Sequence, residues 1–178
     1  MWIFPFFRQF IIHSKIIFLS LISLLDMIII SIIGDWMIDW KPRTHEDRLI
    51  YNYWKEVGGT FFLEVPIGSQ RGDVGWPKGS GIRRIDAIRI NSDNDQIIPQ
   101  KEFNYSKFCD IVENQPVELI EAKQKLNRLV IGQIIAGYDM FECEYSSKNI
   151  LNVILCFKGD PALEWVCKKR NIQVNIIK

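Results

Sequence analysis

The chain has 178 residues, 48% of them hydrophobic, and a formal net charge of +1. That length fits one domain of common size with an appendage, and the near-zero charge argues against a uniformly basic nucleic-acid binder, so any such partner must be held by local clusters. The four cysteines, Cys109, Cys143, Cys156 and Cys167, are scattered without a C-x-x-C pair, which argues against a disulfide framework and a structural zinc site and suits a reducing, cytoplasmic setting.

Composition changes sharply along the chain. Residues 1 to 36 are far more apolar than the rest, and the run from Ile16 to Ile33 is interrupted only by serines and Asp26. Two readings stay open. The run reaches the lower length limit for a membrane helix, which would anchor the domain to a membrane and keep it in the cytoplasm. Equally, Ile, Phe and Ser runs are what AT-rich upstream DNA gives when translated, and Met37 would then be the natural start. The remainder, 37–178, reads as one domain.

Thr44 followed by Asp47 has the shape of a helix N-terminus, and Leu49, Ile50, Tyr53, Trp54 and Val57 recur at helical spacing before Gly58-Gly59. A first helix over 45–57 follows, with Glu46 in its first turn. Thr60 to Ile67 is rich in strand formers, and Pro66 puts its end at an edge or bulge. Glu64 on this strand either points into a site or reaches solvent. Residues 68 to 81 form a polar, glycine-rich loop carrying Arg71 and Lys78. Ile82 to Ile90 is a second strand whose strict alternation puts Asp86 on one face with Ile88 and Ile90, and Ile85 with Ala87 on the other.

Residues 91 to 116 read as a polar connection with a short helix over 105–113. Val117 to Lys123 is a third strand, on which Val117, Leu119, Glu121 and Lys123 share a face. A carboxylate and an ammonium on an otherwise apolar face are costly unless something pairs with them or uses them. Leu126 to Phe141 is a helix carrying Gln133 and Tyr138. Ile150 to Phe157 is a fourth strand, Asp160-Pro161 opens a helix running to Arg170, and Ile172 to Ile177 closes as a fifth strand. Three strands followed by alternating units predict an α/β fold, a mixed sheet flanked by helices.

A Glu-x-Lys triplet alone is cheap, as Asp39-Trp40-Lys41 shows. Position gives it meaning: Asp86 lies mid-strand, and Glu121 and Lys123 end the next strand. The order helix, strand, strand with Asp86, strand with Glu121-Ala122-Lys123, then helix resembles the PD-(D/E)xK nuclease superfamily, over about residues 44 to 177. Two departures stand out. Ile85 replaces the family's proline before the acid, and the glutamine-to-tyrosine spacing at Gln133 and Tyr138 is one residue longer than in the exonuclease branch.

The resemblance implies a restriction-endonuclease-like fold in αβββαβαβ order and a metal-dependent nuclease acting on DNA. Asp86 and Glu121 would bind Mg2+ or Mn2+, with the Ala122 carbonyl as a further ligand and Glu46 as the added first-helix acid. Hard oxygen ligands suit a cation that keeps several of its waters. Lys123 would orient the attacking water, and Gln133 would hydrogen-bond near Lys123 or the nucleic-acid backbone. Phosphate contacts are expected from Arg71, Lys78, Arg83, Arg84, Arg89, Lys125 and Arg128, with Tyr138 beside them. A homodimer is compatible with all of this. The alternative is a non-catalytic nucleic-acid-binding or interaction module of the same fold, membrane-anchored if residues 1 to 36 are genuine.

Overall fold

The computed structural model describes residues 40–68 and 76–178. The apolar segment 1–36 and Arg71 lie outside the described residues. Helix α1 (His45–Val57) opens on a capping box, in which the Thr44 hydroxyl accepts from the Asp47 N–H and the Asp47 carboxylate accepts from the Thr44 N–H. These bonds satisfy two amide groups that the first turn leaves without helical partners. The helix ends where Gly58 takes φ +62 and returns its N–H to the Trp54 carbonyl, a conformation that favours glycine.

Six strands follow: β1 (Thr60–Ile67), β2 (Arg83–Ile90), β3 (Gln96–Ile98), β4 (Pro116–Lys125), β5 (Asn149–Lys158) and β6 (Ile172–Ile176). They form one mixed sheet in the order β3-β1-β2-β4-β5-β6. Strands β1, β2 and β4 are an antiparallel meander, whereas β3 on β1, β5 on β4 and β6 on β5 are parallel. The three-residue β3 was not expected. Only Ile97 and Ile98 mark it in sequence, too short a run for an alternation signal, and parallel pairing to β1 defines it.

Helix α1 packs over β4 and β5. The opposite face carries the larger core, to which α2 (Tyr105–Val112), α3 (Arg128–Glu144) and α4 (Pro161–Lys169) contribute Phe108, Val112, Val130, Ile134, Phe141 and Cys167. Asp160 caps α4 through the N–H groups of Ala162 and Leu163, with Pro161 in the first turn. Among the described residues the architecture is therefore α/β, a mixed sheet with four α-helices. Among the described residues no helix is long and apolar enough to cross a membrane.

One expectation about the sheet fails in an informative way. Strict alternation placed Ile85 on the face opposite Ile88, yet both belong to the core under α3. A methyl group built on Gly137 of α3 would lie 3.7 Å from Ile85 Cγ1. Phe62 and Val65 on β1 show the same shift of face. Between them Glu64 has φ +53, a left-handed conformation that costs an L-residue about 1–2 kcal/mol. Pairing between β1 and β2 keeps one register on either side of Glu64 and Asp86 but skips those two residues. Both strands therefore break their pleat at one level of the sheet.

Candidate active site

The break in the pleat is where the acids gather. Pairing of β2 with β4 runs from Ile90↔Val117 to Ala87↔Ile120 and stops. Beyond it the Ala122 N–H donates to Asp86 Oδ2 at 2.8 Å. A side-chain carboxylate thus takes an amide that a neighbouring strand would otherwise satisfy. The same oxygen lies 3.5 Å from Lys123 Nζ, which is also 3.8 Å from Glu46 Oε1. Three of the residues expected to hold a metal, Glu46, Asp86 and Ala122, are thereby linked by direct contacts with one another and with Lys123, the residue expected to orient the water.

Glu121 sits deepest. It is 3% exposed, and its Oε2 atom has no hydrogen-bond partner among the described residues. Burial pushes its carboxyl up to about 9, reinforced by the negative charge of Asp86 and a hydrogen bond with it and opposed by Lys123. Glu64 is raised as well, by desolvation first and then by Asp86, with Arg84 opposing. Glu121 is shifted in a buried position, whereas Glu64 is exposed on the cleft and feels the neighbouring acid from there.

The donor chemistry of these residues suits a small divalent cation. An unpartnered buried carboxylate oxygen is a group that normally demands an explanation, and hard oxygen donors are the chemistry magnesium takes. Asp86 and Glu121 would hold the ion. The Ala122 carbonyl, next to Glu121 on β4, and Glu46 in the first turn of α1 are further oxygen donors. Among the described residues no three Asp, Glu, His or Cys side chains stand at the spacing of a preassembled metal site. Magnesium commonly binds through one or two carboxylates and retains waters in its other positions.

The other expected residues divide. Arg84, Arg128 and Gln133 line, together with Glu64 and Glu121, a cleft between α3 and the ends of β1 and β2. Gln133 therefore faces the same space as Glu121. Tyr138 does not: it borders a separate depression near the end of α3 and its hydroxyl donates to Glu142 Oε1. Five residues on a helix turn through about 140° beyond a full circle, so the spacing that carries Gln133 to the cleft carries Tyr138 away from it.

Lys78 is exposed in the turn before β2, and neither it nor Lys125 is among the residues lining the cleft. Arg89 does not line the cleft either. It is bound to Glu118 and donates to the carbonyls of Gly58 and Val57 at 2.8 and 2.9 Å. Glu64, which the sequence leaves open between site and solvent, is exposed and lines the cleft. Its only signal was an acid within the apolar stretch Phe61-Phe62-Leu63-Glu64-Val65.

No protein-family model, curated protein or solved structure matches the chain.

Proposed function

We propose that the chain is a metal-dependent nuclease of the PD-(D/E)xK type, hydrolysing phosphodiester bonds, most naturally of DNA. The observation that carries this reading is the buried, unpartnered Glu121 oxygen beside Asp86 and Lys123, at the point where β2 and β4 stop pairing. The order of elements agrees with it, since α1, β1, β2, β4 and α3 carry Glu46, Glu64, Asp86, Glu121 to Lys123, and Gln133 in turn. The additional β3 and α2 lie between β2 and β4 and leave that succession intact.

In hydrolysis a water oxygen forms a new bond to phosphorus, the bond to the leaving oxygen breaks, and that oxygen takes up a proton. A bound Mg2+ or Mn2+ would supply Lewis-acid polarisation of the phosphate and lower the pKa of a coordinated water. The chain's residues supply the rest. Lys123, held between Asp86 and Glu46, places an ammonium where it can orient the water and offset developing negative charge. Gln133 offers an amide in the cleft that Glu121 also lines, and Arg84 and Arg128 offer charge to the flanking phosphates.

Incubation of the full chain with linear and circular DNA and either metal tests the proposal. Cleavage is expected, with Asp86→Ala and Lys123→Ala each reducing its rate by about a thousandfold or more, on the order of 4 kcal/mol in transition-state stabilisation. Both variants should keep the wild-type circular dichroism spectrum. An inert wild type on single-stranded, double-stranded and branched DNA with both metals overturns the reading.

A further inference from the structure

The cleft beside Glu121 holds more than an acid cluster requires. Its volume is about 660 Å3, within the range of about 300–1,000 Å3 typical of small-ligand sites. Its lining is of two kinds. Arg83, Arg84 and Arg128 supply positive charge beside the acids Glu64 and Glu121, while Ile82 and Leu129 stand 57% and 67% exposed on the same cleft. Contacts to phosphate alone call for charge and give no reason to hold large aliphatic side chains in water.

Gly132 is the second observation. It lies inside α3, lines the cleft, and a methyl group added there would meet nothing within 4 Å. A glycine inside a helix costs about 1 kcal/mol relative to alanine, and no close backbone approach accounts for this one. Its effect is to leave the cleft wall open beside Leu129, one turn away on the same face of α3.

The third observation is depth. The cleft floor includes Glu121, only 3% exposed. In a duplex each base is stacked and paired, so its faces are unavailable to aliphatic side chains, and extruding one costs a few kcal/mol. An unpaired strand carries no such cost and can bend its backbone toward the floor while laying a base on the wall. We propose that this cleft binds an unpaired nucleic-acid strand, with phosphates at Arg84 and Arg128 and a nucleobase against Ile82, Leu129 and the open wall at Gly132. The inference rests on the nuclease reading and adds to it a preference for single-stranded substrate.

The test uses the full chain carrying Lys123→Ala, in magnesium, with fluorescence anisotropy on a labelled oligothymidine and on a blunt duplex of the same length. The single strand should bind at least about tenfold more tightly, a difference of about 1.4 kcal/mol. Adding Gly132→Leu should raise the melting temperature, because leucine is the better helix former and the space is open, and yet weaken oligothymidine binding by about tenfold. Leu129→Ser should weaken it severalfold. Equal or tighter duplex binding, or unchanged oligothymidine binding in the Gly132→Leu chain, overturns the single-strand proposal and leaves the nuclease reading standing. If neither probe binds and the wild type cleaves nothing, the nuclease reading itself has failed.

Discussion

Strands β2 and β4 carry two charged clusters, and the two are built on opposite principles. At one level Arg89 and Glu118 face each other as direct cross-strand partners. The Tyr53 hydroxyl donates to the second glutamate oxygen at 3.0 Å, and the arginine's remaining donors reach the carbonyls of Val57 and Gly58. At the next level Asp86 and Glu121 would be partners if pairing continued, but it stops. There the carboxylates of Glu46, Glu64, Asp86 and Glu121 surround Lys123, and one buried oxygen is left without a partner. The first cluster satisfies its polar groups and fastens α1 to the sheet. The second tolerates repulsion and backbone strain, which is the expected condition of a site kept for something other than stability.

The contrast can be broken at its satisfied end. Removing one partner of a largely buried ion pair strands the other charge, at a cost of about 3–5 kcal/mol. Arg89→Ala is therefore expected to lower unfolding free energy by about 3 kcal/mol in urea denaturation, with the loss of two carbonyl bonds adding to it. A loss below about 0.5 kcal/mol, the usual size for an exposed pair, would show that this cluster fastens nothing.

At the unsatisfied end the sign reverses. Glu121 has its folded-state pKa raised from 4.5 to about 9. Its contribution to stability is fully present below about pH 4.5 and is lost as pH rises through 9, because the unfolded chain releases the proton first. In EDTA the wild type should lose about 1–3 kcal/mol of stability between pH 5.5 and 8.5 relative to Glu121→Gln. Thermal melts of both chains across that range check this, and parallel pH profiles would contradict it.

The smallest effect is conformational. Glu64 holds φ +53 within β1, so Glu64→Gly should relieve strain and repulsion together and raise stability by up to about 1 kcal/mol, while Glu64→Ala, which keeps the strain, should gain less. Denaturation midpoints of the two variants, compared at equal m-value, decide the matter. A glycine variant less stable than the alanine variant would mean that the left-handed backbone carries no strain.

Why one cluster was legible and the other only partly so follows from what a sequence encodes locally. Thr44 with Asp47, Gly58, and Asp160 with Pro161 act within a turn of where they stand, so both helices were expected within a residue or so of their observed ends. Glu121 and Lys123 at the end of a strand, with Asp86 on the one before, were also visible. Pairing is not local. Nothing near Arg89 tells that Glu118 will stand across from it, so it was read as a phosphate contact. Nothing around Asp86 announces the break that turns Ile85 to the face of Ile88. That break falls at Glu64 and Asp86, the level at which the two strands skip a pair, and the Asp86 carboxylate there reaches the Ala122 amide.

The proposed nuclease requires the unpartnered oxygen of Glu121 to be a cation's place. Calorimetric titration of Mn2+ into the full chain at pH 7.5, beside Glu121→Gln and Glu118→Gln, tests it most directly. Saturable binding by the wild type and by Glu118→Gln, with at least about a tenfold loss of affinity in Glu121→Gln, is the result expected. Equal binding by all three chains, or none by the wild type, would contradict it.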